Sequence, residues 1–240
     1  MGAPTGIYKR AKKSAISAPV VRTASGVRSA PLASRGFYGA NDRLKRALQG
    51  IEEKKVVDTA AASYAVDTTG SVTAINLCAQ GTDFTNRIGR KTTNTAIQVT
   101  GMVGPNSTAD NATGIHGKVL VIYDAQPNSA GAVPSMTDLF TASTSDSFMN
   151  LNNRDRFRVL ATEDFALGPF DNTATVSLAD NSIRLVNIYK RINMDSIWSG
   201  TTAAIGSVSS GTILLVTIGN NGSSTGYTAR LACRVRFVDA

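Results

Sequence analysis

Thr228-Ala229-Arg230-Leu231-Ala232-Cys233-Arg234-Val235-Arg236-Phe237 alternates residue by residue near the end of a 240-residue chain. At a period of two, Ala229, Leu231, Cys233, Val235 and Phe237 share one face of an extended strand, while Thr228, Arg230, Ala232, Arg234 and Arg236 share the other. One face suits a core and the other does not, so Tyr227 to Val238 is expected as a half-buried β-strand. Just ahead, Gly219-Asn220-Asn221-Gly222-Ser223-Ser224-Thr225-Gly226 has the glycine and asparagine chemistry of a hairpin connection. This predicts that the strand before it, Gly211 to Ile218, lies beside the last one.

Further back, Val, Ile and Thr are frequent from residue 54 onward, turn clusters recur, and no long segment repeats apolar residues at helical spacing. Strands are expected at Lys54 to Val66, Val72 to Cys78, Lys91 to Val103, Gly117 to Asp124, Arg156 to Leu167, Thr175 to Leu178 and Ile183 to Ile192, in addition to the final two. Eight strands and an extra one make an all-β antiparallel sandwich or barrel. Two connections are long, Gln80 to Arg90 and Ala125 to Asn153; the second contains Pro127, Pro134 and a short helix expected from Ser135 to Phe140. Long ordered loops on a sandwich are usually contact surfaces.

With 42% hydrophobic residues, the part after residue 50 can bury one sizeable core and demands no second domain. Cys78 and Cys233 lack CxxC spacing and histidine partners, so they are expected as buried free thiols. The strongest apolar run, Ile213 to Ile218, is far shorter than the roughly 20 residues that span a bilayer, so no membrane insertion is expected. The N-terminus lacks the apolar region of a secretory signal, and the sequons at Asn106, Asn111 and Asn221 are read as polar loops.

Charge is sharply divided. Lys9, Arg10, Lys12, Lys13, Arg22, Arg28, Arg35, Arg43, Lys45 and Arg46 stand against the single Asp42 in the first fifty residues, a net +9, whereas the remaining 190 residues carry 15 basic and 16 acidic groups. A segregated block of cations calls for a polyanion, and a nucleic acid backbone is the commonest one with closely spaced charges. These ten residues are the candidate nucleic-acid ligands. Residues 1–41, with seven basic groups, no acid and Pro4, Pro19 and Pro31, cannot bury enough apolar surface to fold alone and are expected to be disordered until bound. Near 42–49, Asn41 or Asp42 can cap a short helix that gathers Leu44, Leu48 and Ile51 on one face. The run Lys9-Arg10-Ala11-Lys12-Lys13 also fits a host nuclear import receptor. A mitochondrial transit peptide is the rival reading, opposed by the prolines and the lysine cluster.

Elsewhere, Arg230, Arg234 and Arg236 on one strand face, and Arg156 and Arg158 on another, suit either phosphates or salt bridges. Catalysis finds little support. The single histidine, His116, has no assigned partner, no GxSxG, HExxH, P-loop or Rossmann motif is present, and an enzyme would need scattered carboxylates such as Asp124, Asp155 and Glu163 to converge.

Several fragments together resemble the small single jelly-roll capsid proteins of satellite tobacco necrosis virus type, also found among CRESS-DNA viruses. They are Glu53-Lys54-Lys55 entering the first strand, Gln80-Gly81, Asn86-Arg87-Ile88-Gly89-Arg90-Lys91, Thr100-Gly101, Tyr123-Asp124, Phe148-Met149 to Asn153, Arg156-Phe157-Arg158-Val159-Leu160 and the terminal Phe237-Val238-Asp239-Ala240. The resemblance implies an eight-stranded antiparallel jelly-roll sandwich over 51–240 behind a basic arm over 1–50. It further implies a homo-oligomer of sixty copies around a single-stranded genome, DNA favoured over RNA, located in the virion and, for a DNA genome, in the host nucleus during assembly. It gives Arg87, Arg90 and Lys91 a structural or intersubunit role, and it aligns Asp239 with an aspartate that helps bind calcium between subunits. Otherwise no cofactor is expected. The competing reading is a non-viral nuclear or organellar β-sandwich that binds nucleic acid; few aromatics for base stacking weaken it.

Overall fold

The computed structural model describes residues 54–105, 114–127, 131–168, 183–222 and 227–239. All belong to one compact unit, Glu52–Ala240. The ten candidate ligands of the arm, the helix expected at 42–49 and the strand expected at 175–178 lie outside the described residues.

In chain order the strands are β1 (Lys54–Ala65), β2 (Ser71–Ala74), β3 (Lys91–Pro105), β4 (Ile115–Asp124), β5 (Phe157–Leu167), β6 (Arg184–Trp198), β7 (Val208–Ser210), β8 (Thr212–Gly219) and β9 (Tyr227–Asp239), with one short α-helix, α1 (Met136–Leu139), and two 3-10 turns, Leu151–Asn153 and Ile205–Ser207, among the described residues. They form two antiparallel sheets, ordered β1-β9-β3-β6-β7 and β2-β8-β4-β5. The first long strand pairs with the last, and the second with the last but one, which is how a folded-over chain rolls up into a jelly roll. Without the three-residue β7, the two sheets hold eight strands, four apiece.

The alternating stretch Thr228 to Phe237 lies within β9. Ala229, Leu231, Cys233 and Val235 enter the main core, while Arg230, Arg234 and Arg236 are exposed. Its neighbour is different from the one expected. β9 lies between β1 and β3, and β8 belongs to the opposite sheet between β2 and β4, so the connection from Gly219 toward Gly226 is no hairpin. The physical reason is that β8 already has both edges paired. The seven-residue connection from β8 to β9, 220–226, is also long enough to cross the ~10 Å between packed sheets, so glycine and asparagine there serve a crossover.

β8 also explains why its sequence runs apolar without alternation. Ile213 and Leu215 point into the main core between the sheets with Ile97, Val99, Val121 and Val186. Leu214, Val216 and Ile218 point the other way, against Met136, Leu139 and Phe140. The long connection between β4 and β5 folds α1 over the outer face of the four-stranded sheet, leaving β8 buried on both sides.

Where β7 hands over to β8, the chain changes sheet at Gly211, whose φ of 83° would bring a Cβ to 2.0 Å from the Asp195 carbonyl. Only glycine serves there. A buried polar network clamps this corner: Asn76 donates to Ser196 Oγ (3.0 Å) and to the Gly211 carbonyl (3.1 Å) while its own oxygen accepts the Ile213 amide (2.9 Å). Asn76 therefore takes over where β2 stops, which is why that strand ends at Ala74 and not at Cys78. β6, by contrast, continues past Ile192 to Trp198, because an irregularity between Asn94 and Ala96 lets β3 keep pairing through the polar segment.

Cys78 and Cys233 are free and buried, as expected, and burial pushes their thiols up to about 11 and about 12. Helix α1 starts on a capping box. Asp138 N–H donates to Ser135 Oγ (3.2 Å), and the Asp138 carboxylate accepts from the Ser135 amide (2.8 Å) and hydroxyl (2.7 Å). Those hydrogen bonds hold the Asp138 carboxyl below its ordinary value. A folded-state value below the unfolded ~3.9 gives stabilisation that is complete above about pH 4 and is lost as pH falls through the folded value. Ser135→Ala should therefore cost about 1 kcal/mol at neutral pH, and thermal melts at pH 7 and pH 3 should show the gap to the parent narrowing in acid.

Candidate nucleic-acid interface

Within the described residues, the strand arginines divide into those that are spent on the fold and those that are free to meet a ligand. Arg156 is spent. Its Nε and Nη2 donate to Asp124 Oδ1 and Oδ2 at 2.8 and 2.9 Å, Asp124 is fully buried, and the guanidinium lies 4.6 Å from the Phe157 ring. Such a bidentate, stacked arginine anchors the start of β5 and has no fork left for a phosphate. Donating to the Asp124 carboxylate holds its guanidinium above the ordinary range. Arg158 is exposed.

On β9, Arg234 grips Asp58 of β1 through two hydrogen bonds of 2.7 and 2.6 Å, which keep the Asp58 carboxyl below its usual value. The pair is exposed and contributes little to stability. Arg230 and Arg236, two residues from Arg234 or further along the same face, have no acidic partner among the described residues.

The loop 80–90 does what the motif resemblance implies for Arg87. Its side chain is wholly buried, stacked 4.6 Å from the Trp198 ring, with Nη1 donating to the Gly89 carbonyl at 2.6 Å and Nη2 to the Gly200 carbonyl. Desolvation lowers its pKa. Beside it, Lys55 is equally buried, donating to the Asn86 carbonyl (3.0 Å) and standing 3.1 Å from Asp239 Oδ2. The other Asp239 oxygen accepts the Ile88 amide at 3.2 Å. Two buried cations thus tie the loop to the first and last strands and to Trp198. A charged lysine in the motif Glu53-Lys54-Lys55 gave no sign of burial; only its place opposite Phe237 on the inward face of β1 does so.

Asp239 therefore has a lysine for its counter-cation. Calcium needs six to eight oxygens, and no cluster of three or more His, Cys, Asp or Glu side chains occurs among the described residues. A calcium ion at Asp239 would have to displace Lys55 and draw most of its ligands from another subunit.

The catalytic candidates do not come together. Asp124 is committed to Arg156, Asp155 is near Arg154 (3.8 Å), and Glu163 is near Arg184 (3.6 Å). His116 Nε2 is 2.9 Å from Asp146 Oδ1 in an exposed pair between loop and strand.

A rolled eight-stranded sandwich behind a segregated basic arm is the design of a shell-forming capsid protein. The chain belongs to the geminivirus coat protein/nuclear export factor BR1 family, whose model matches residues 8–240, and it is a viral capsid protein. Coat proteins of this kind are structural, and the family is that of a single-stranded DNA virus. Of the two sides of the resemblance, the match falls on the DNA viruses. No curated protein matches the chain.

Proposed function

We propose that the chain closes into a small icosahedral shell of sixty copies, as in the satellite tobacco necrosis virus type it resembles, and packages single-stranded DNA on its N-terminal arm. One observation carries the reading: the whole of the net positive charge resides in the first fifty residues, where ten cations face one acid. Sixty arms of +9 supply about 540 charges, a substantial part of a genome with on the order of a thousand phosphates. Lys9, Arg10, Lys12, Lys13, Arg22, Arg28, Arg35, Arg43, Lys45 and Arg46 are the phosphate ligands in this scheme, acting by counterion release with no need for base readout.

The long loops supply the contacts between copies. Phe148 and Leu151, in the connection between β4 and β5, are 83% and 73% exposed. Large apolar side chains displayed this way on a hydrogen-bonded loop suit burial against a neighbouring subunit. Lys9-Arg10-Ala11-Lys12-Lys13 would engage a nuclear import receptor, taking the protein to the nucleus before it enters the virion. Calcium at Asp239 would be an ion shared between subunits. Nothing favours a non-viral nucleic-acid-binding module.

Negative-stain microscopy and absorbance of the nuclease-treated recombinant protein test the scheme. Uniform closed particles that protect nucleic acid are expected. A salt-sensitive monomer that never assembles across pH and calcium conditions would overturn it.

A further inference from the structure

The outer faces of the two sheets differ. That of the four-stranded sheet is covered by the protein's own α1 connection, which buries Leu214, Val216 and Ile218. That of the five-stranded sheet carries cations. Strand register aligns Arg236 of β9, Ala96 of β3 and Arg191 of β6 in one row, and Arg234, Gln98 and Tyr189 in the next. Arg230 follows two rows on, opposite Met102.

Arg191, Arg230 and Arg236 are exposed, and no acid among the described residues pairs with any of them. Asp58, the acid in the Arg234 row, is already taken by Arg234. Between these cations the face is low: Ala96, Ala232 and Thr100 hold its middle. Strand spacing puts Arg236 and Arg191 about 10 Å apart across β3, and Tyr189 about 7 Å from Arg191 along β6. Tyr189, 54% exposed, rises from that floor beside Gln98. An aromatic ring set among unanswered guanidiniums has the chemistry of a single-stranded nucleic-acid platform, in which the ring stacks a base and the cations track the backbone.

We infer that the outer face of the five-stranded sheet is a nucleic-acid contact separate from the arm, with one base of a single strand stacked on Tyr189 and its phosphates held by Arg191, Arg236 and Arg230. The face then lies on the inside of the shell. The inference rests on the capsid reading for the source of the strand, which is the packaged genome. It is sequence-tolerant, because every base has a π-face and phosphates are uniform. The binding of a second subunit's acidic surface to this face is the alternative.

The test uses the full-length protein and a fluorescent oligothymidylate, titrated over a range of salt. Each single-strand phosphate contact contributes about 0.7 to the slope of log K against log salt. Replacing Arg191, Arg230 and Arg236 together by Ala should therefore flatten the slope by about 2. Tyr189→Ala should weaken binding about tenfold, and Tyr189→Phe, which keeps the ring, should restore it. Ultraviolet crosslinking of assembled particles should place a nucleotide on the peptide containing Tyr189. Parental slope and affinity in these variants, with crosslinks confined to residues 1–50, would overturn the sheet contact and leave the arm's role standing. Protein–protein crosslinks from Tyr189 in place of nucleotide ones would overturn it in favour of a subunit contact. A full-length chain that binds no oligothymidylate would overturn both the sheet contact and the proposed packaging role.

Discussion

Deleting residues 1–36 is expected to leave a folded sandwich that assembles nearly empty. The deletion removes Lys9, Arg10, Lys12, Lys13, Arg22, Arg28 and Arg35 and no acid, so the chain falls from a net +8 to +1. Seven phosphate contacts at about 0.7 each give a salt slope near −5 for a single strand, which at 0.15 M salt corresponds to about four orders of magnitude in the binding constant. In a sixty-copy shell about 420 of 540 internal charges disappear. The described strands begin at Lys54, and every core residue named above lies beyond it, so the melting temperature should move little. Particle absorbance after nuclease treatment reads the packaged nucleic acid, and intact mass confirms the truncation. Exchanging the seven cations for one another, Lys for Arg and Arg for Lys, should keep most packaging, because counterion release depends on charge. If the truncated shell held normal amounts of nucleic acid, the packaging role would pass from the arm to the arginines of β6 and β9.

How much of this was legible in the sequence depends on how local the signal was. β9 could be read directly, because period-two alternation is a property of consecutive residues, and a short helix was expected from Ser135 to Phe140, where the capping box at Ser135 starts it. β8 was legible as a strand but not as one buried on both faces. A short apolar run carries no facing information, and the cover comes from a helix some eighty residues earlier in the chain. The hairpin reading failed for a related reason: a Gly- and Asn-rich connection reports a change of direction, whereas the choice of sheet is set by which strand edges remain open. β7, three residues long, was too short to leave a pattern. At the candidate site, the charge of the arm was plain from composition, and so was the arginine face of β9. The partners that remove Arg156, Arg234 and Arg87 from the pool of free cations were not, because Asp124, Asp58 and Trp198 are distant in sequence. Tyr189 and Arg191 join that face only through the register between β3 and β6.

Arg87 gives the largest expected effect on stability. Arg87→Ala removes a fully buried side chain, its stacking on Trp198 and its hydrogen bonds to the carbonyls of Gly89 and Gly200. Cavity formation and two part-buried carbonyls left without their donor should together cost about 3–5 kcal/mol. For a domain of this size that lowers the melting temperature by about 6–20 °C. Arg87→Lys keeps the charge but not the planar fork, so it cannot reach both carbonyls while stacking on the ring, and an intermediate loss is expected. The comparison decides between two accounts of the residue. If Arg87 served mainly as a charge for a ligand or a neighbouring subunit, Lys would preserve stability and Ala would hardly change it. If it is the pin that joins the loop 80–90 to Trp198, both variants lose stability in the order Ala then Lys. Trp198→Ala should then be non-additive with Arg87→Ala, since either change alone already dismantles their contact. Calorimetry of the two single variants and the double variant measures that coupling.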